Sequence, residues 1–395
     1  MANADTGLTV RFEQAGKEEQ RVKDWSIDSS YLVSTDEFHF TLYSPKREDF
    51  QDIELQPVEL IVNGASQCLG RIEVTERGSD GSAVACSGRD YISEIVECNV
   101  DPFKVVTANT ALGDALLDMM RPVGIKTVTD FDGLNMTQVR SGIAPKGGKK
   151  RKSPKAVKAE DYKPTPGQGI YEFCNRLIAR HGATLQPANK RSEILIDAPD
   201  FDQDPLFFLT RTDDTTSSAG NNIESATARR DFTRFPTYAV FTGTVAKSNE
   251  TGTGVGFQFD MLKFAESLGN DELIRIMARA VQPGRSKEGD PNALYRLLYH
   301  RDTDSRTQAQ LEAAAHRAVA ERLKDTLSYS ATVRGHVDPI SGAVWSVGAM
   351  CSVNDAITGV HENLWILSRK LRYGTDGAMT DLEMIRPGTL FLGEP

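Results

Sequence analysis

The chain has 395 residues, of which 39% are hydrophobic and 26% charged, with a formal net charge of −9 at pH 7. That length exceeds one ordinary core and predicts two to four domains, while the acidic balance argues against a protein that coats nucleic acid by bulk charge. No apolar run nears the ~20 residues needed to span a bilayer, and MANADTGLTVRFEQAG lacks a basic region followed by an apolar core, so neither a membrane anchor nor a secretory signal is expected.

Residues 1–100 read as short strands. Leu8-Val10-Phe12, Trp25-Ile27, Phe38-Phe40-Leu42, Ile53-Leu55, Leu60-Val62, Ile72-Val74 and Val84-Cys86 alternate at period two, separated by the turn-rich pieces SPKRED, NGAS and RGSDGS. Short, evenly spaced strands with polar turns predict a small barrel or sandwich. The texture changes near residue 100. Thr110 is a candidate N-cap for a helix with Leu112, Leu116, Met119 and Met120 on one face, ended by Pro122 and Gly124. A second helix, IYEFCNRLIARHG, carries the stripe Ile170, Phe173, Leu177 and Ile178 and stops at Gly182; the strands TLQP and EILID follow. Residues 101–205 therefore form an α+β domain interrupted by a basic loop, 144–164. From Lys146 to Lys158 that loop has basic residues and no acidic ones; such a run self-repels and should be mobile when unbound.

Strand patterns return at LFFLT and YAVFTGTVA. The pieces FDMLKFAESLG and DELIRIMARAV are helix-like, and SRTQAQLEAAAHRAVAERLKDTL gives a helix with a narrow stripe of Leu311, Ala315, Ala318, Val319 and Leu323. SYSATVRGHV, MCSVND, LWILSRKLRY and AMTDLEMI complete the chain as strands. The order is β, then α+β, then β interrupted by helices, without the βαβα alternation of a nucleotide-binding sheet.

Catalytic and metal-binding patterns are sparse. Gly252-Thr-Gly254-Val-Gly256 lacks dinucleotide-loop spacing and a following Lys-Ser/Thr pair, and reads as a flexible hairpin or crossing loop. His39, His181, His300, His316, His336 and His361 stand alone, with no HExxH; His181 suits a helix C-terminus and His316 a charged helix. There is no GxSxG elbow. Asp197, Asp200, Asp202 and Asp204 superficially invite a calcium loop, but the EF-hand order fails and they read as solvated carboxylates. Cys68, Cys86, Cys98, Cys174 and Cys351, odd in number and without CxxC spacing, read as reduced, mostly buried thiols of a protein made in a cytoplasm. No catalytic residue, cofactor or metal is expected. Within the basic run, Lys149, Lys150, Arg151 and Lys152 lack interleaved aromatics and suit a partner-docking loop facing an acidic surface. Phe207-Phe208 and Trp365-Ile366 read as core.

Three stretches together resemble the Mu-type baseplate hub proteins of contractile phage tails, a group that includes late-control tail proteins. They are AVACSGRDYISEIVECNVDP (83–102), PTPGQGIYEFCNRLIARHGATLQPANKRSEILIDAP (164–199), and the block from RAVAERLKDTLSYSATVRGHV to MTDLEMIRP, which includes a turn at Gly342, Trp345 and Gly348. The resemblance spans most of the chain in matching order; the basic insertion and the region 245–305 depart from it. It implies a β-rich α+β multidomain fold: a β-barrel domain at 1–100, the α+β domain at 101–205, a second, tail-tube-like barrel at 206–245 plus 328–395, and a helix-containing insertion at 246–327. It further implies a homotrimeric ring in the virion baseplate, assembled in host cytoplasm. Its partners would be the six-fold tail tube protein, the three-fold central spike protein and baseplate wedge or other hub proteins, with DNA passing through unbound. A tail-associated cell-wall hydrolase would need paired carboxylates or a zinc triad. A peripheral receptor-binding module would be monomeric or trimerise through a sustained heptad.

Overall fold

The structure is a computed structural model that describes residues 7–14, 16–43, 53–79, 82–104, 112–130, 164–179, 183–188, 190–213, 220–245, 253–267, 296–302 and 308–390. Period-two alternation builds the first β region: β1 (Leu8–Phe12), β2 (Lys17–Glu19), β3 (Val22–Ser30), β4 (Glu37–Tyr43), β5 (Pro57–Val62), β6 (Ala65–Arg77) and β7 (Ala83–Asp90). Trp25, Ile27, Phe38, Phe40 and Leu42 are buried, and their sequence neighbours point the other way. Ile53-Leu55 is a turn, not the expected strand: Leu55 adopts φ 58° and its amide donates to the Ile72 carbonyl. Only Ile53 of the pair reaches the core, so the two-residue alternation had no sheet face to match.

β6 and β7 approach closely around Phe38. A Cβ at Gly88 would lie 1.9 Å from the Arg71 carbonyl oxygen and 2.7 Å from the Phe38 ring, and one at Gly70 would lie 2.4 Å from that ring. Glycine at both positions is therefore a packing requirement.

The chain then enters an α+β layer: α1 (Ser93–Glu97), α2 (Leu112–Met120), a 3-10 turn (Arg121–Val123), β8 (Thr127–Asp130), α3 (Ile170–Ala179), β9 (Thr184–Pro187) and β10 (Glu193–Asp197). β10 pairs in parallel with β8 and antiparallel with β9. Leu116, Met120, Phe173 and Ile178 bury the helix stripes against Leu185, Ile194 and Ile196. Gly124, at φ 95°, ends the 3-10 turn. The candidate cap Thr110, the stop at His181-Gly182, the basic loop up to residue 163 and DELIRIMARAV lie outside the described residues.

β11 (Phe207–Arg211) and β12 (Ile223–Arg229) return to the large sheet. β13 (Tyr238–Val245) does not, although its sequence neighbours suggested it would. It pairs antiparallel with β14 (Thr253–Phe259) and in parallel with β15 (Leu297–Asp302). Ala239, Phe241 and Phe259 pack there against Met261 and Phe264 of α4 (Met261–Ser267) and Leu311, Ala315, Val319 and Leu323 of α5 (Gln308–Lys324). The glycine-rich piece, read as a flexible hairpin or crossing loop, supplies Gly254 and Gly256 to β14, the second arm of a hairpin. Its strand character was masked by residues of low β propensity.

β16 (Ser328–Arg334), β17 (Met350–Asp355), β18 (Val360–Gly374) and β19 (Gly377–Ile385) complete the second β region. Both regions belong to one 13-stranded sheet among the described residues, ordered β12-β16-β19-β18-β3-β4-β7-β6-β5-β1-β2, with β17 joining β18 and β11 joining β17. The molecule is β-rich, and the described pairings follow an open path without closing a barrel.

β18 is the junction. Trp365 pairs with Met350 and Ile385, and Lys370 pairs with Asp28 and Asp381. A strand has two edges, and β19 occupies one of them at both positions. β17 of the second region and β3 of the first therefore follow each other along the opposite edge of β18. They meet at Leu367, whose carbonyl accepts from the Tyr31 amide at 2.9 Å, while the Gly348 amide donates to Ile366.

Candidate functional surface

The register of β18 shifts between Ile366 and Ser368. Before the shift Leu364 and Ile366 face the main core; after it Leu371 does, with buried Arg369 on the same side. One extra residue reverses the side-chain phase of everything that follows. Without that bulge Ser368, Lys370 and Arg372 would point into the core. With it they point outward: Lys370 lies between Asp381 and Asp28, and Arg372 between the apolar Met379 and Ser26.

The result is a continuous polar face across both β regions. The row Thr332, Asp381, Lys370, Asp28 and Glu37 crosses five strands, β16 to β4, and Ser26, His39 and Ser87 extend the next row to β7. On β18 its cations are bound: Arg372 Nε donates to Asp381 at 2.8 Å and Lys370 Nζ to Asp28 at 3.2 Å. Thr332 donates to Asp381 at 2.7 Å and Ser368 to Glu383 at 3.0 Å. Burial, which alone would raise the Asp381 carboxyl, is outweighed by the Arg372 and Thr332 hydrogen bonds, so its pKa is lowered. From β16 to β7 the carboxylates Asp24, Asp28, Glu37, Asp381 and Glu383 share the face with Lys370, Arg372, Arg334 on β16, exposed Lys23 on β3 and Arg89, which lies opposite Glu37 on β7. The face is hydrophilic, built mostly from short or tethered side chains, and mixed in charge.

Buried ties hold this sheet in place. Arg211 binds Asp355 through two hydrogen bonds of 2.9 and 2.7 Å; Tyr329 and Thr358 also donate to that carboxylate. Burial disfavours its charge, yet these donors hold it down at about 2. Arg386, buried beside Thr326, makes two 3.1 Å hydrogen bonds to Glu362. At the β3–β17 junction Trp365 meets the Tyr31 ring edge-on at 4.7 Å and the Phe201 ring at 5.4 Å. Tyr31 in turn donates to Asp197 at 2.8 Å, which ties β10 to the junction.

Asp197 is accordingly no solvated loop carboxylate: it ends β10, and burial raises its pKa against the Tyr31 hydrogen bond. Asp200 instead accepts from the Asp202 amide in a local turn. Among the described residues no three His, Cys, Asp or Glu side chains gather as a metal site. His316 departs from its reading as a residue of a charged helix surface, since it packs on the rings of Phe259 and Phe264 at 4.9 and 5.1 Å and burial lowers its pKa. Cys68, Cys86, Cys174 and Cys351 are buried thiols and Cys98 is half-buried, all unpaired. Gly342 and Gly348 adopt φ 70° and 77° around the buried Trp345, which explains the spacing of that turn. Phe207, Trp365 and Ile366 are core residues, whereas Phe208, on the other face of β11, is only half-buried. Lys149, Lys150, Arg151 and Lys152 lie outside the described residues. The polar face itself escaped sequence reasoning, because its rows exist only once β18 and β3 are paired.

No family model matches the sequence, and no curated protein matches it. Solved structures do. A tail protein from Neisseria meningitidis MC58 is 19% identical, with a TM-score of 0.68 over 97% of each chain. The 43 kDa tail protein of prophage MuSo2 from Shewanella oneidensis is 17% identical, with a TM-score of 0.68 over 97% of this chain and 98% of that one. A chain of the Francisella PdpA–VgrG complex is 9% identical, with a TM-score of 0.54 over 98% of this chain and 59% of that chain. The fold is that of phage tail proteins of the Mu-like kind. No described helix is long and apolar enough to cross a membrane.

Proposed function

We propose that the chain is a structural hub subunit of a contractile-tail baseplate or a related injection machine, closing as a homotrimeric ring between a six-fold tail tube and a three-fold central spike. The observation that carries this reading is the polar face shared by both β regions. A partner interface would need an apolar centre, whereas this face presents polar side chains whose cations are mostly paired with carboxylates. Such a surface offers a passing nucleic acid few free cations for counterion-releasing contact. It suits the wall of a channel through which DNA moves without specific binding.

Among the described residues the sheet ends in different strands, β12 and β2 on its main path and β11 on the branch through β17. Unlike ends favour head-to-tail contacts, which close into a ring when the rotation permits. In this reading the two β regions are tube-like units, and three chains present six such surfaces. The tail tube protein, the spike protein and wedge or other hub proteins are the partners, and likeness to a chain from a VgrG complex supports the spike side. Lys149, Lys150, Arg151 and Lys152 serve as a docking loop for an acidic partner surface, and the subunit performs no catalysis.

Thiol accessibility tests the placement of the face. Cysteine introduced by Ser87→Cys or Thr332→Cys should react with a small maleimide in every state, but with a bulky polymer-linked maleimide only when the ring is dissociated. Equal reactivity toward the bulky reagent in assembled particles would place the face on the outside.

A further inference from the structure

Where β18 meets β3, a chain of polar contacts crosses from the second β region through the first to α1. Arg369, 5% exposed, is directly opposite Ser29. Its guanidinium donates to Gln67 Oε1 at 2.6 Å, to the Trp345 carbonyl and, at 3.5 Å, to Ser29 Oγ. Ser29 Oγ donates to Asp36 Oδ2 at 2.9 Å. The Asp36 amide donates to Asp90 Oδ2 at 3.1 Å, and the Asp90 amide returns a bond of 2.9 Å to the Asp36 carbonyl. Asp90, 2% exposed, also accepts from the Ile92 amide at 3.0 Å and so fixes the start of α1.

The charges do not balance. One guanidinium serves two carboxyls, and its hydrogen-bonded link to Asp36 runs through Ser29 Oγ. The other groups facing the pair are Asp28 on β3, the Cys68 thiol on β6, Ser93 on α1 and the phenols of Tyr91 and, on α3, Tyr171, none of which adds a cation. Arg191 faces Cys68 but is committed to Glu13 at 2.9 Å and to the carbonyls of Val58 and Gly70. His336, beside Arg369, is neutral. Thr380 Oγ1 spends its proton on the Gly335 carbonyl, so His336 Nδ1 must donate to it, leaving Nε2 as a lone pair. Burial and the Arg369 charge hold that imidazole at about 4.

We propose that Asp36 and Asp90 retain one proton between them at neutral pH, making the join of the two β regions and α1 a latch that is tight when the proton is held and loosens when it is lost. Two carboxyls, Asp90 buried and Asp36 half-buried, linked through the Asp36 peptide amide cannot both ionise cheaply against a single guanidinium. In the same direction, burial pushes Asp36 up to about 6 despite Arg369, and burial with the Asp36 charge pushes Asp90 up to about 8. Both shifts are upward, so the folded chain binds the proton more tightly than the unfolded one. Stability from this site is complete below the ordinary carboxyl range and falls as pH rises toward 8. The inference is independent of the ring.

Carboxyl-detected NMR titration of the full chain is the direct test: one aspartate carboxyl should lose its proton above about pH 6, well beyond the ordinary value of about 3.9. Hydrogen exchange supplies the second readout. After correction for base catalysis, protection of the Ile92 amide should fall by up to about tenfold per pH unit between roughly pH 6 and 8. In Asp36→Asn, which keeps an acceptor for Ser29 but removes a charge, that window should move down by about one pH unit or more. All aspartates titrating below pH 5, or the same window in wild type and Asp36→Asn, would overturn the proposal. The wild-type titration decides it even if the variant fails to fold.

Discussion

The Tyr31 amide donates to the Leu367 carbonyl at 2.9 Å, at the one residue of β18 where the register slips. That contact joins the end of β3 in the first β region to the phase change in the second. The orientation of Ser368, Lys370 and Arg372, and with it the character of the shared face, follows from this single extra residue.

Deleting Leu367 should therefore be far worse than truncating it. Deletion turns Lys370 and Arg372 inward, where a buried unpaired charge is costly, and should leave the chain insoluble on expression. Leu367→Ala keeps the phase and should fold, losing about 1–2 kcal/mol in urea denaturation for a partly buried side chain.

Gly88→Ala should destabilise by about 3 kcal/mol or more, beyond ordinary overpacking, because the new methyl meets a backbone carbonyl as well as a ring. Adding Phe38→Leu relieves only the ring and should not restore the denaturation midpoint.

Asp355→Asn breaks the buried pair with Arg211 and should cost about 3–5 kcal/mol near neutral pH. Because the Asp355 carboxyl is held down at about 2, its contribution is complete above the ordinary range and disappears as pH falls from about 4 toward 2. The gap between wild type and variant, followed by thermal denaturation, should narrow over that acid interval.

Replacing Lys149, Lys150, Arg151 and Lys152 with Ser should leave the denaturation midpoint unchanged and weaken one protein contact in assembly at physiological salt. Unaltered assembly under those conditions would remove the loop from the partner-docking role.

Much of the fold was legible because the relevant signals are local. The alternation of Phe38, Phe40 and Leu42 needs a half-buried strand, and the stripe Phe173, Leu177 and Ile178 needs a helix packed on one side. What stayed hidden depends on partners distant in sequence. IESATAR has only Ile223 buried, since β12 lies at the sheet end, so it carries no strong alternation. Leu364, Trp365 and Ile366 are buried in succession because cores lie on both sides of that half of β18, which hides the bulge inside an apolar run. Arg369 looks like a surface residue until β3 lies against it. The pairing of β13 with β15 spans an interval that local pattern cannot bridge.

The most direct test of the hub reading is the mass of the purified chain in solution, measured together with electron microscopy of the same particles. The account predicts three copies of the chain in a three-fold ring with an open central channel. A compact monomer with a deep polar cleft would contradict it.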